Sequence, residues 1–188
     1  DGKTYTVRNG HAYVSLHDTA VTITNGGVIA NNQPIFFNGT VNIKDTSNPA
    51  LNLTVSAQDL DATAFGDYGV TGRISGTATI GGTATKPTAN GHVSARDVHY
   101  GDYAIREADA NFIYDGTTVT IPDFSVDPGF GAAKGTASYN IDTGAYNATV
   151  SAVDMPLSML QNQIGMPITG TVTGEVRRRR GRYVKSTI

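Results

Sequence analysis

The amino-acid sequence predicts an all-β fold built as one elongated repeat sheet. Three observations carry that prediction: a long internal repeat, period-two alternation along most of the chain, and turn signals at short, regular intervals.

The repeat is the most specific of the three. Ala50 to Asp59 reads ALNLTVSAQD and Ala145 to Asp154 reads AYNATVSAVD, with seven of ten positions identical. Thr71-Gly72 and Gly76 are answered by Thr169-Gly170 and Gly174, AVTIT at Ala20 by TVTIP at Thr118, and YTVRNGHA at Tyr5 by YAIREADA at Tyr103. A repeat of this length is usually an array of strands in which each unit buries its apolar face only by stacking on the next. One β-repeat domain is expected over residues 1–176, with a first copy at about 1–98 and a second at about 99–176. With no initiating Met and a repeat cut at both ends, the chain is expected to be a piece of a longer protein.

The alternation supplies the strands. In LNLTVSA, Leu51, Leu53, Val55 and Ala57 fall on one side and Asn52, Thr54 and Ser56 on the other. The second copy repeats this with Tyr146, Ala148, Val150 and Ala152 against Asn147, Thr149 and Ser151. Similar strips run through Ile74 and Ile80, Val93, Phe112 and Tyr114, Val119 and Ile121, and Phe124 and Val126. A sheet with one dry face and one wet face follows.

Turn signals divide the strips at Asn25-Gly26-Gly27, Asn48-Pro49, Gly81-Gly82, Asp115-Gly116, Asp127-Pro128-Gly129 and Asp142-Thr143-Gly144. Cutting the chain there, and at weaker signals between, predicts something like sixteen strands, an array roughly 75 Å long at ~4.8 Å per strand. One segment departs from the pattern. DMPLSMLQNQIG (Asp154 to Gly165) offers a capping Asp154, Pro156 in a first turn, and Leu157, Leu160 and Ile164 at helical spacing, so a short helix is predicted near 155–164.

Charge is unevenly spread. All 16 acidic residues and 8 of the 14 Lys and Arg lie within 1–176, giving 8 − 16 = −8 there. The other six basic residues form RRRRGRYVK, from Arg177 to Lys185, in a basic tail at 177–188 that is either a strand end or not native to the protein. Arg177, Arg178, Arg179 and Arg180 are the candidates for contact with anionic headgroups. An acidic body without interleaved aromatic and basic residues argues against nucleic acid as a partner.

Catalytic signatures are missing. The chain has no Cys, which excludes disulfides and thiol chemistry. His11, His17, His92 and His99 show no metal-ligand spacing, and no Ser lies in a nucleophile elbow. Asp59 and Asp61 resemble a carboxylate pair, yet Asp154, which answers Asp59, has no second carboxylate after it. A repeated Asp at that place reads as a turn or helix cap. Asn-x-Thr triplets at Asn38, Asn52 and Asn147 are expected by chance in strands this rich in Asn and Thr. The expectation is a protein that is not an enzyme and carries no catalytic residues, metal or cofactor. No run of 18 apolar residues is present to cross a bilayer as a helix.

The cadence of Gly76 to Val126 is more specific than any of its residues. Gly82-Thr83, Pro87, Gly91, Val93, Asp97-Val98, Tyr100, Ile105, Ala108, Tyr114-Asp115-Gly116, Val119 and Ile121 follow one another in a register that resembles the repeat of the AsmA-like/TamB superfamily. The stretch from Gly129 to Leu160 continues it, so the resemblance covers most of residues 1–176 and none of the basic tail. It implies a β-taco, a long sheet folded lengthwise into an open trough with an apolar interior. It also implies a place in the periplasm and cell envelope of a diderm bacterium, with an inner-membrane anchor elsewhere in the full-length chain. The function implied is shielding of phospholipid acyl chains for transport between membranes, support of outer-membrane protein assembly, or both, with a BamA-family outer-membrane barrel as partner.

On that reading the groove lining is Leu51, Leu53, Val55, Ile74, Ile80, Val93, Phe112, Tyr114, Val119, Ile121, Phe124, Val126, Tyr146 and Val150. The alternation alone fits a filled core equally well. The alternative is therefore a secreted or surface β-solenoid, an adhesin or autotransporter passenger, that binds glycan or protein through its polar face.

Overall fold

A computed structural model describes residues 7–65, 69–101, 103–156 and 171–179, with residues 65, 155, 156 and 171–179 described through the backbone alone. Eleven strands follow one another: β1 (Val7–His17), β2 (Ala20–Ala30), β3 (Gln33–Asn42), β4 (Ala50–Asp61), β5 (Val70–Gly82), β6 (Pro87–Tyr100), β7 (Tyr103–Tyr114), β8 (Thr118–Asp127), β9 (Ala132–Asn140), β10 (Tyr146–Pro156) and β11 (Thr171–Arg179). They form a single antiparallel sheet whose spatial order is the order of the chain, β1 to β11. The fold is all-β, and the sheet stays open, with β1 and β11 at its ends rather than paired into a barrel.

The described residues form eleven strands where sixteen were expected of the chain, and ten spacings of ~4.8 Å make this sheet about 48 Å long. The strands run to 9–14 residues because several turn signals lie inside them. Asn25-Gly26-Gly27 is the clearest case. It sits within β2, where Asn25 has φ 49° and the pairing with β3 slips between Ile23 and Gly26. Residues that permit positive φ serve a bulge as well as a turn, and here the bulge is what forms.

The same holds for the repeated aspartates. Asp59 in β4 (φ 56°), Asp97 in β6 (φ 51°) and Asp154 in β10 (φ 53°) are left-handed residues at bulges near the ends of strands that run in one direction. Asp154 is thus a bulge residue, not a helix cap, and β10 continues through Met155 and Pro156. The rest of the helix predicted near 155–164 lies outside the described residues. Bulges bend the strand and increase its twist, so a row of them along one side curls the sheet.

True turns close the hairpins. Asn31 and Asn32 (φ 48° and 66°) make the two-residue turn between β2 and β3, where two positive φ values match the strand twist. Asp115 accepts hydrogen bonds from the backbone N–H of Thr117 (2.9 Å) and Thr118 (2.8 Å) between β7 and β8. Asn140 does the same for Thr143 N–H (2.8 Å) between β9 and β10. After β4 the chain makes one 3-10 turn, Ala62–Phe65, capped by Asp61, which accepts from Thr63 N–H (3.0 Å) and Oγ1 (2.7 Å). Leu60 (5 % exposed), at the end of β4, and Ala62 (6 %), the first residue of this turn, are buried there.

Candidate apolar groove

The pairing registers sort every strand into two faces, because alternate residues point to opposite sides. One row crosses ten strands without a break: Val14, Ile23, Gly39, Leu53, Ile80, Ala89, Tyr114, Val119, Tyr139 and Tyr146, each opposite the next. A second row runs Phe37, Val55, Ala78, Gly91 and Phe112, meets the β8 bulge, and resumes at Ile121, Ala137 and Ala148. A third runs Ala57, Gly76, Val93, Ala110, Phe124, Gly135 and Val150. The fourth holds Leu60, Ile74, Ala95, Ala108, Val126, Ala133 and Ala152. No charged residue stands in any of these rows from β1 to β10.

Thirteen of the fourteen predicted lining residues occupy these four rows, and Leu51 lies beside them, opposite Val41. The register therefore brings all fourteen to one face. None of them is buried, and Tyr146 reaches 37 % exposure. Each strand packs on its sheet neighbours, so outside Leu60 and Ala62 no second layer covers the apolar face of the described residues. A filled core is not what these strands make.

Packing within the face is shallow by construction. The rings of Phe37, Phe112 and Phe124 lie sideways over glycines of adjacent strands: a Cβ built on Gly26 would stand 2.5 Å from Phe37 Cε2, and one on Gly91 would stand 3.0 Å from Phe112 Cε1. Aromatic rings that cover glycine in this way shield the backbone and stabilise pairing without projecting outward. Ala and Gly alternate with Val, Ile, Leu and Tyr along these rows, so short side chains and flattened rings lie between the bulkier ones.

The opposite face carries the charge. Asp61, Arg73, Arg96, Glu107 and Asp127 stand opposite one another in a row over five strands. Arg96 Nη2 meets Asp59 Oδ1 at 2.7 Å and Arg73 donates to the Asp59 carbonyl at 3.2 Å, while Arg106, which precedes Glu107 and alternates with it, pairs with Asp127 near the ends of β7 and β8. The Arg106 hydrogen bond holds the Asp127 carboxyl below its usual value, while the same contact raises Arg106. The hydroxyl of Thr63 does the same for Asp61. These groups are exposed, so the pairs orient side chains more than they stabilise the sheet.

The histidines fall into this polar scheme. His92 lies 3.2 Å from Asp109 and 3.3 Å from Asn111, which in turn donates to Asp123 at 2.8 Å. His99 contacts the Asp97 carbonyl, His17 lies near Asp18, and His11 lies over Gly27. Asp59 and Asp61 are separated in role, one paired with Arg96 and the other capping the 3-10 turn. Among the described residues no three His or acidic groups converge as metal ligands.

Sequence reasoning missed several members of the rows. Phe37 and Phe36 are consecutive, and only the register shows that Phe37 joins the apolar face while Phe36, opposite Ser56, stands on the other. Tyr139 carried a readable signal, since it follows Ala137 at period two. Arg177, Arg178 and Arg179 belong to the end of β11, and Arg180 lies outside the described residues.

Comparison with known proteins points one way. The family model described as the TamB C-terminal domain matches residues 24–122, more than half of the 188-residue chain. No curated protein and no solved structure gives a significant match.

Proposed function

Because the chain belongs to the TamB family of bacterial cell-envelope proteins, we propose that its open apolar face is a groove that shields phospholipid acyl chains on their way between the two membranes. One observation carries this reading. Four charge-free rows run side by side over β4 to β10, and among the described residues nothing packs over them except at Leu60, while Asp, Arg, Thr and Asn occupy the other side. An apolar surface this continuous is unfavourable in water and marks a place that something apolar covers. Each methylene of an acyl chain laid there contributes about 0.8 kcal/mol without any polar recognition. The rows run along the sheet axis, so a chain can lie over several strands at once and advance by sliding.

Membership of the family supports the surroundings proposed for it. The segment works in the periplasm, the full-length chain holds an inner-membrane anchor, and an outer-membrane barrel of the BamA family receives its far end. Support of barrel assembly is a further use of the same surface. No reaction is assigned to it.

The test is photo-crosslinking in a diderm bacterium with a crosslinker at Leu53, Phe112 or Val150, and controls at Asn52 and Thr149. Phospholipid captured from the first three and not from the controls is the expected result. Equal capture from both faces, or none from either, overturns the groove and favours a surface whose polar side does the binding.

A further inference from the structure

β11 carries the basic run into the apolar pattern. Its register with β10 sets Arg177 opposite Thr149, Arg178 opposite Ala148 and Arg179 opposite Asn147. Ala148 stands opposite Ala137, and Ala137 opposite Ile121. Arg178 thus occupies the next position of the second apolar row, whereas Arg177 and Arg179 continue rows of the polar face.

The neighbouring rows define what surrounds that position. The first ends at Tyr146, beside Tyr139, which is 49 % exposed, and the third continues from Val150 to Val176. No acidic residue stands in any of them. The polar face differs, for Glu175 shares a side of β11 with Arg177, two positions away.

An arginine at a register position of an apolar face is costly unless an anion accompanies its charge. Arg also suits phosphate better than any other side chain does, because two of its N–H groups can engage two oxygens in parallel. Tyrosines suit the boundary between an acyl chain and a polar headgroup, with an apolar ring and a polar tip. An apolar track that reaches an arginine position near tyrosines therefore has the chemistry of a phospholipid laid lengthwise.

We propose that Arg178 is the headgroup end of the groove, a phosphate-binding position for an anionic phospholipid whose acyl chains lie back over Ala148, Val150 and Ile121. The inference rests on the groove holding acyl chains, and it adds an orientation: heads toward β11, tails toward β1.

The experiment titrates the whole chain with short-chain fluorescent phosphatidylglycerol and phosphatidylcholine. Wild type is expected to prefer phosphatidylglycerol by about tenfold, the order of one charge-assisted contact. Arg178→Gln should lose that preference and keep phosphatidylcholine binding, which also reports that it is folded. Arg178→Lys should keep part of the preference, and the pair Arg177→Gln/Arg179→Gln most of it. Retention of the preference by Arg178→Gln, or its equal loss in the double variant, overturns the assignment in favour of general surface charge. Wild type that binds both lipids equally overturns the headgroup position alone. Wild type that binds neither overturns the groove as well.

Discussion

The ring of Phe124 lies over Gly135 on the next strand, so near that a Cβ on that glycine would stand 2.7 Å from Phe124 Cζ. The same Cβ would press on the Thr149 carbonyl oxygen of β10, so neither ring nor backbone leaves it room. One glycine therefore lets three strands approach and lets the ring lie flat.

Gly135→Ala should accordingly destabilise the sheet by about 1–3 kcal/mol, the usual cost of forcing a methyl into filled space. Gly10→Ala is the control, since nothing lies within 4 Å of its Cβ position, and it should stay within about 0.5 kcal/mol of wild type. Urea unfolding midpoints check both. Equal midpoints for the two variants would mean that the ring is not held over Gly135.

The bulge at Asp97 makes a second expectation. Its φ of 51° is accessible to Asp and Gly and poorly accessible to a β-branched residue. Asp97→Val should cost about 1–2 kcal/mol, and Asp97→Gly distinctly less. The comparison isolates backbone geometry, for no ion pair of the Asp97 side chain is seen among the described residues. If Val and Gly destabilise equally, the left-handed conformation is not what position 97 selects for.

Acid should lower the protein's stability in a predictable window. The carboxyls of Asp45, Asp61, Asp115 and Asp127 all lie below their ordinary value of 3.8, mainly through hydrogen bonds from Ser47, Thr63, Thr118 and Arg106 respectively. A depressed folded value means that the unfolded chain binds more protons, so stability rises with pH through the carboxylate range. The contribution is complete above about pH 5 and declines as pH falls below the ordinary value toward the folded ones. Asp115→Asn should flatten this decline without abolishing it. Thermal midpoints between pH 2.5 and 7 measure the slope, and an Asn variant with an unchanged slope would remove the Asp115 turn from the account.

Much of this architecture was legible from alternation and repetition. Leu51, Leu53 and Val55 declare a face by themselves, because bulky apolar residues at period two mark one side of a strand. Ala78, Ala89, Gly91 and Ala137 did not, although they complete the same rows, since small residues carry no signature of burial or face. Turn chemistry misled in a consistent way. Asn25-Gly26-Gly27 and Asp154 supply positive φ wherever it is needed, and the local sequence does not distinguish a chain reversal from a bulge within a long strand. That ambiguity is why short strands were expected where the described residues form longer ones. The side assigned to each arginine of β11 was also invisible, because it depends on the register with β10.

The strict order of the strands, β1 to β11, has a kinetic meaning. Every strand finds its partner in the segment just before or just after it, so the contacts that build the sheet are close in sequence. Low contact order favours fast folding and lets structure grow from any hairpin by adding one strand at a time. A chain that emerges end first, from a ribosome or through a membrane pore, can extend the sheet as it appears, without waiting for a distant segment to return.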